Sequence, residues 1–165
     1  MELLVVRHAI AFDRNAGRWP DDAERPLTPA GVARARKAAL GLKRLTERPA
    51  RVLVSPLRRA RQTAAILTQF AGWPEAEVCP QLRPSAAPES VLALLARTGN
   101  ARVALIGHQP GLGNLLAACL PGEAAAAGFE LKKMGVGLLE FAGAPRVGRA
   151  KLMWLLPPKT LRAAG

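Results

Sequence analysis

Three separated places in the chain carry side chains that could handle a phosphoryl group: the adjacent pair Arg7-His8, then Arg59, then His108. A neutral imidazole nitrogen can attack phosphorus and form a covalent intermediate. Planar guanidinium groups bind phosphoryl oxygens through two parallel hydrogen bonds, and in phosphoryl transfer the transition state spreads negative charge over these oxygens. The residue types therefore favour phosphoryl transfer without a metal, with His8 as nucleophile and the other three as phosphate-binding groups.

Taken singly, each of these residues has a simpler interpretation. A histidine at a strand end often only satisfies a hydrogen bond, and Arg7 could be a salt-bridge partner. Arg58, Arg59 and Arg61 could form a solvated helix face. The combination is what favours catalysis, because chance alone would not place the chain's only two histidines at equivalent strand ends.

The positions of the predicted strands bring these residues together. Short apolar runs at Leu3–Val6, Arg51–Ser55 and Ala101–Ile106 are typical of buried strands. Arg7-His8 follows the first run and His108 the third, while Arg59 lies in the first turn of a helix after the second. In parallel α/β sheets, ligands bind beyond the carboxyl ends of the strands. We therefore expect one site at one edge of the sheet.

The other elements complete an alternating pattern. Thr28-Pro29 opens a helix with a favourable cap, and apolar residues recur at helical spacing to Leu45. Strands alternating with helices predict a single α/β domain over residues 1–165 with a mostly parallel sheet. Three further helices are predicted: one that begins at Pro56, one at Glu89–Ala96 and one at Gly111–Leu120. Further strands are predicted near Val78 and at Phe129–Leu131, Val136–Phe141 and Leu152–Leu155. We interpret Ala124–Ala127 as a loop or helix end.

The charge of the chain has two interpretations. Lys and Arg number 24 against 12 Asp and Glu, a net charge of +12. Such a surface can attract nucleic acid or an acidic partner, or it can reflect arginine-rich codon usage. We favour the second for most of the charge, because basic residues are spread along the chain and the four Phe and three Trp offer few stacking platforms for bases. No nucleic-acid partner is therefore expected.

Membrane, metal and cofactor functions are not indicated. No apolar run approaches the ~20 residues that span a bilayer, and Met1–Val6 is too short for a secretory segment, which predicts a cytoplasmic protein. Cys79 and Cys119 have no closely spaced partners and are interpreted as reduced, buried thiols. We expect no metal site and no cofactor.

Four segments resemble the histidine phosphatase superfamily, also called the phosphoglycerate mutase-like family. The Arg-His motif after the first strand matches Val6–Ala9, and the later Gly-His motif matches Ile106–His108. The most specific match is Ser55–Thr63 to Ser-Pro-x-x-Arg-Ala-x-Gln-Thr, and Pro26–Gly31 matches Pro-Leu-Thr-x-x-Gly. This register makes Arg59, not Arg58, the phosphate-binding arginine.

The resemblance is greatest to the small SixA-type phosphohistidine phosphatases and covers nearly the whole chain. It implies a three-layer α/β/α sandwich with a mostly parallel central sheet and no cap insertion. It also implies His8, Arg7, Arg59 and His108 as the site residues, with phosphate or another oxyanion bound among them. We expect Arg25, in the loop over the site, to form a further wall. The implied partner is a phosphorylated protein such as a histidine phosphotransfer domain.

The sequence departs from the family pattern at two places. Ala9 stands where the family usually has glycine, so the local turn could differ. Gln81–Pro84 carries no carboxylate where mutase and acid phosphatase relatives have a proton donor. Hydrolysis of an alkyl phosphate benefits from such an acid, whereas phosphohistidine leaves as imidazole, whose conjugate acid has a pKa of ~6.5. The missing acid favours a P–N substrate.

Three functional hypotheses follow. The leading one is a protein phosphohistidine phosphatase, and the alternative enzyme is a phosphomonoesterase acting on a small phosphorylated metabolite. The third is a basic phosphate- or nucleic-acid-binding module with a decayed site, which the presence of all four site residues disfavours. A loop carboxylate could still act as the acid; the candidates are Asp13, Asp21, Asp22, Glu24 and Glu89.

Overall fold

The computed structural model describes residues 1–97, 99, 101–122 and 128–165, so the predicted loop or helix end at Ala124–Ala127 lies outside the described residues. The strands are β1 (Glu2–Arg7), β2 (Arg51–Val54), β3 (Ala76–Val78), β4 (Arg102–Gly107), β5 (Val136–Phe141) and β6 (Ala150–Leu156). The helices are α1 (Pro29–Leu45), α2 (Arg58–Ala71), α3 (Pro88–Leu95), α4 (Gly111–Cys119) and α5 (Pro158–Ala164), with 3-10 turns at Asp22–Glu24 and Pro80–Leu82.

The strands form one sheet in the order β3-β2-β4-β1-β5-β6. The first four strands of this order pair in parallel, and β5 pairs antiparallel with β1. The last strand, β6, pairs antiparallel with β5 and so runs in the same direction as the first four. The predicted α/β fold with a mostly parallel sheet is confirmed. Because β1 and β4 are neighbours with Arg7 opposite Gly107, both strands end side by side.

Helices cover both faces of the sheet, which makes three layers. Along β1, Leu4 and Val6 pack into a core beneath α1, α2 and α5, while Leu3 and Val5 pack into a second core with α3 and α4. All four of these side chains are fully buried. A strand buried on both faces reads as a continuous apolar run, which is why β1 was visible in the sequence.

Helix α1 begins where its capping residues predict. The Thr28 hydroxyl accepts a hydrogen bond from the Gly31 amide at 2.9 Å, and Pro29 takes the first helical position. A side chain at Gly31 would collide with the Ile10 carbonyl oxygen, 2.1 Å from the position of a Cβ. Helix α1 therefore packs closely against the chain that leads out of the site.

The start of α2 and the segment before β5 differ from the predictions. Helix α2 begins at Arg58, two residues after Pro56, because Leu57 is extended and serves as its cap. The predicted strand at Phe129–Leu131 is wrong. The Phe129 carbonyl accepts a hydrogen bond from Gln109 Nε2 at 2.8 Å, and the Leu131 carbonyl accepts one from Arg7 Nη1 at 2.6 Å. These two carbonyl groups therefore accept their hydrogen bonds from side chains and not from a neighbouring strand.

Among the described residues, no helix is both long enough and apolar enough to cross a bilayer.

Candidate active site

The structure brings all four predicted site residues to one cleft. Arg7 ends β1 and His8 follows it, His108 follows β4, and Arg59 lies in the first turn of α2. The cleft has a volume of about 240 Å³. Its lining residues are Arg7, His8, Phe12, Asp13, Arg14, Arg25, Arg59, Pro84, His108, Gln109 and Lys133.

The imidazole of His8 is buried and held in one tautomer. Only 7% of the residue is exposed, and its Nδ1–H donates to its neighbour's carbonyl, that of Ala9, at 2.6 Å. Burial, assisted by the charges of Arg59, Arg7 and Lys133, lowers the pKa of His8 to about 3. The ring is therefore neutral near pH 7, with a lone pair on Nε2, the state that a nucleophile requires.

The backbone around His8 is fixed from two sides. The His8 amide donates to the Gly107 carbonyl at 3.0 Å, which extends the β1–β4 pairing by one residue. The Ala9 amide donates to Thr63 Oγ1 at 3.0 Å, and that hydroxyl donates to the Arg59 carbonyl at 2.8 Å. Thr63 thus joins the turn that carries His8 to the helix that carries Arg59. Thr63 is not among the site residues predicted from the sequence, although its place one helical turn after Arg59 is a usable signal.

Alanine fits the position where glycine was expected. Among the described non-glycine residues, Met134 alone has a positive φ, so Ala9 adopts a backbone conformation open to any residue. Ala9 is 1% exposed and packs in the core beside β1. The Ala9 substitution therefore does not require a strained turn.

His108 faces His8 across the cleft. The two ring centroids are 4.9 Å apart, and His108 Nε2 lies 2.8 Å from the hydroxyl of Ser55, which is fully buried at the end of β2. With the Ser55 hydroxyl donating to Nε2, the ring carries its proton on Nδ1. Burial, and then the charges of His8 and Arg59, lower the pKa of His108 to about 3.

Arg7 is anchored by a turn that sequence analysis missed. Its Nη1 donates to the Leu131 carbonyl, its amide donates to the Gly135 carbonyl at 3.1 Å, and its carbonyl accepts from the Met134 amide at 3.0 Å. Met134 has φ of 68°, and a side chain at Gly135 would meet the Lys132 carbonyl oxygen. The tight turn before β5 therefore holds Arg7 in place. Burial lowers the pKa of Arg7 without neutralising it.

Arg59 is held by one acidic residue of the preceding loop. Its Nη1 donates to the Asp22 carbonyl at 2.8 Å, and its Nη2 lies 3.2 Å from Asp22 Oδ2. Arg59 is 3% exposed, and burial lowers its pKa, against the opposing charge of Asp22. Arg25, expected as a further wall, does line the cleft, and its Nε donates to Asp22 Oδ1 at 2.8 Å.

Three of the four site residues carry a buried nitrogen without a hydrogen-bond partner. In the part of the chain that the structure describes, such side-chain atoms are Arg7 Nε, Arg59 Nε, His108 Nδ1 and Trp19 Nε1. An unsatisfied buried donor costs about 1–3 kcal/mol, and more when charged. The three nitrogens of the site belong to side chains that line one cleft, and an anion with several oxygen acceptors is the kind of partner that they lack.

The candidate acids are not equivalent. Asp13 is exposed and lines the cleft, whereas Asp22 lies behind the arginines and a hydrogen bond from Arg25 lowers its pKa. Pro84 lines the cleft in the segment that lacks a carboxylate. Within residues 1–97, 99, 101–122 and 128–165, no group of three or more His, Cys, Asp or Glu side chains could hold a metal ion.

The two histidines should remain neutral well below pH 6.5. In anion-free buffer, we expect neither imidazole to titrate between pH 5 and 8, because burial lowers both pKa values to about 3. Histidine in the unfolded chain binds a proton near pH 6.5. Between these values the unfolded state binds more protons, so the free energy of unfolding should fall by up to ~1.4 kcal/mol per pH unit for each histidine as the pH is lowered.

Proton NMR of the imidazole C2–H signals tests this directly, since the chain has two histidines. Urea unfolding between pH 6.5 and 5 tests the linkage, and His108→Gln should remove about half of the dependence. An ordinary titration near pH 6.5 for both rings would contradict the structure.

The chain matches known proteins in sequence and in structure. The family model of the histidine phosphatase superfamily (branch 1) matches residues 3–87. An uncharacterized protein of Picosynechococcus is 38% identical over 150 residues, 89% of this chain and 88% of that protein. The phosphohistidine phosphatase SixA of Escherichia coli is 36% identical over 127 residues, 74% of this chain and 76% of that protein. A structure of the protein histidine phosphatase SixA complexed with tungstate has a TM-score of 0.85 at 31% identity, covering 98% of this chain and 99% of that one.

Proposed function

Because the chain belongs to the histidine phosphatase superfamily, we propose that it is a metal-independent phosphatase that hydrolyses protein phosphohistidine through a covalent intermediate on His8. Its fold is that of SixA, which supports phosphatase activity. One observation carries the proposal: the unpartnered donors Arg7 Nε, Arg59 Nε and His108 Nδ1 belong to side chains that line the same cleft as His8.

In the first step, His8 Nε2 attacks phosphorus. A P–N bond forms to His8 and the bond between phosphorus and the substrate breaks. Arg7 and Arg59 hold the equatorial oxygens, and His108 donates from Nδ1, so that charge is stabilised by groups already in place. The hydrogen bond from His8 Nδ1 to the Ala9 carbonyl persists as the ring becomes positively charged, and its acceptor then stabilises that charge.

In the second step, water attacks the phosphorus of phosphorylated His8. The P–Nε2 bond breaks, inorganic phosphate leaves, and the His8 ring returns to its neutral state. The phosphoryl group stays within the same cation wall throughout. No metal is required, because the two arginines and His108 supply the charge and hydrogen bonds that a metal would otherwise provide.

A phosphohistidine substrate matches the leaving-group chemistry of this cleft. Transfer from a substrate histidine to His8 exchanges one P–N bond for another, so the step is close to balanced in energy. The substrate ring leaves as neutral imidazole once its other nitrogen carries a proton from solvent. The segment Gln81–Pro84 offers no acid, and Asp22 stays ionised behind the arginines.

The cleft is accessible to a protein surface. Asp13 and Arg14 at its rim are exposed, Arg14 with 82% of its side chain, and Lys133 is partly exposed. A histidine ring on the surface of a folded partner, such as a histidine phosphotransfer domain, could reach His8 without unfolding. The relative at 36% identity is named a phosphohistidine phosphatase, which supports this substrate class.

A second candidate is a phosphomonoesterase that acts on a small phosphorylated metabolite. The exposed carboxylate of Asp13 favours it, because Asp13 lines the cleft and could protonate an alkoxide leaving group. The two candidates differ in which substrate turns over fastest and in whether Asp13 matters.

A comparison of substrates in excess EDTA tests the proposal. We expect kcat/KM for a phosphohistidine-bearing phosphotransfer protein to exceed that for sugar phosphates and nucleotides by at least ~10²-fold, the contribution of one general acid that esters need and that Gln81–Pro84 does not supply. Activity should not change when EDTA is replaced by Mg²⁺.

Asp13→Asn is the matched control in the same assay. Preference for a metabolite, together with loss of that activity in Asp13→Asn, would favour the phosphomonoesterase. Activity that disappears in EDTA and returns with a divalent ion would contradict the metal-independent mechanism.

A further inference from the structure

Asp22 lies at the centre of a group of arginines. Its Oδ1 accepts from Arg25 Nε at 2.8 Å, its Oδ2 lies 3.2 Å from Arg59 Nη2, and Arg14 Nε lies 3.7 Å from its carboxylate. Its carbonyl also accepts from Arg59 Nη1 at 2.8 Å. The three arginines line the cleft, whereas Asp22 is not among the residues that line it.

We propose that Asp22 is a positioning residue that orients Arg59, and with it Arg25, toward the oxyanion in the cleft. The inference rests on the proposed function for the identity of that oxyanion as a phosphoryl group. Asp22 acts from behind the arginines, so it neither blocks the cleft nor touches the reacting atoms.

The electrostatics require a counter-ion at this point. Arg25 and Arg59 are 9% and 3% exposed, and like charges repel strongly where water is excluded. Besides burial, the charge of Arg25 lowers the pKa of Arg59, and the charge of Asp22 opposes this. The Asp22 side chain is 41% exposed, but the two arginines that it faces are buried, so its removal leaves their positive charges without this counter-ion. Without Asp22, the two guanidinium groups are expected to separate.

Besides balancing charge, Asp22 fixes the orientation of the Arg59 guanidinium group. Asp22 engages Nη1 of Arg59 through its carbonyl and Nη2 through its carboxylate, and the remaining nitrogen, Nε, is the unpartnered donor. Two anchored nitrogens fix the plane of a guanidinium group. The direction of the free Nε–H is therefore determined by Asp22.

The backbone of Asp22 is itself anchored. Asp21 caps the 3-10 turn by accepting from the Ala23 amide at 2.8 Å, and Arg25 also donates to the Phe12 carbonyl. The loop from residue 12 to residue 25 is thereby attached to the phosphate-binding arginine at one point. A loop that lies between β1 and α1 in the chain, outside the strands of the sheet, contributes to the geometry of the site.

Vanadate affinity tests the proposal without requiring turnover. We expect Asp22→Asn to weaken vanadate binding by ~10-fold and Asp22→Ala by up to ~10²-fold, the scale of a positioning error near 1 Å. The Asp21→Asn variant is the control, because it makes the same charge change one residue away while the asparagine side-chain oxygen can still cap the turn, so its affinity should be unchanged. Should the alanine variant fail to fold, the asparagine variant decides the question, with thermal unfolding measured for each.

A double-mutant cycle separates positioning from a general structural role. If Asp22 acts through Arg59, Asp22→Asn should have a much smaller effect on vanadate affinity in an Arg59→Ala background. Full additivity, or unchanged vanadate affinity in Asp22→Asn, would overturn the inference. Equal weakening in Asp21→Asn would do the same, because it would trace the effect to net charge.

The same measurements distinguish this inference from the proposed function. A wild-type protein that binds vanadate in an Asp22-dependent manner but hydrolyses no phosphorylated substrate would refute the proposed function and support the positioning role. If the protein is an active phosphohistidine phosphatase and its vanadate affinity does not change in the Asp22 variants, only the positioning role would be refuted.

Discussion

The variant His8→Ala is expected to lose phosphatase turnover by ~10⁴-fold or more, the scale seen when a covalent nucleophile is removed. The structure explains why no other group would replace it. His8 Nε2 is the free nitrogen of a neutral ring in the cleft, and the hydrogen bond at Nδ1 fixes that tautomer. Steady-state kinetics with an aryl phosphate and with phosphohistidine protein would measure the loss.

The covalent intermediate offers a second measurement. Rapid quench with ³²P-labelled substrate should place the label on His8 in an acid-labile, base-stable form, the behaviour of a phosphorylated imidazole. His8→Ala should show no label while binding vanadate and unfolding cooperatively, because His8 follows the end of β1 and lines the cleft.

Competing nucleophiles are unfavourable. Cys79 and Cys119 are buried, and burial raises the pKa of Cys79 and raises that of Cys119 to about 12. Neither forms the thiolate that attacks phosphorus. Ser55 is fully buried and bonded to His108. A label found on one of these residues would contradict the mechanism.

The sequence was informative about the site because its residues follow buried strands. The apolar runs of β1 and β4 were visible in the sequence, and a parallel sheet places their carboxyl ends together. The convergence of Arg7, His8 and His108 was therefore predictable from three local patterns and one topological rule. The position of Arg59 followed from its place at the start of α2.

Contacts between distant segments were not predictable. Arg7 Nη1 bonds a carbonyl 124 residues away, that of Leu131, and this use of the backbone is one reason that the predicted strand at Phe129–Leu131 does not form. Apolar residues there resemble a strand locally, but whether a carbonyl meets a strand or a guanidinium group depends on the tertiary fold. The role of Asp22 was hidden similarly, because its partner Arg59 lies 37 residues further on.

The rate of this enzyme is expected to depend steeply on the leaving group. One well-placed general acid contributes ~10²–10⁴-fold, so a cleft without one should hydrolyse aryl phosphates faster than simple alkyl phosphates by about that factor. Phosphohistidine should fall with the fast substrates. A plot of log kcat/KM against the pKa of the leaving group across substituted phenyl and alkyl phosphates would measure the dependence.

In the proposed mechanism the site residues do not create this difference, since they would contact the phosphoryl group that all the substrates share. A carboxylate that weakens the dependence of kcat/KM on the leaving group must instead reach the leaving group itself. Asp22 is unsuited, because its pKa is lowered and it lies behind Arg25 and Arg59. Asp13 is the group at the cleft that could do so.

The variants Asp13→Asn and Asp21→Asn decide between these outcomes, since both remove one exposed carboxylate from the same loop and only Asp13 lines the cleft. A cleft specialised for P–N bonds predicts a steep plot that neither substitution changes. A flat plot in the wild type that becomes steep in Asp13→Asn, with Asp21→Asn unaffected, would identify Asp13 as a general acid. Alkyl phosphates would then be natural substrates, and the preference for phosphohistidine would be refuted while the nucleophilic role of His8 remained.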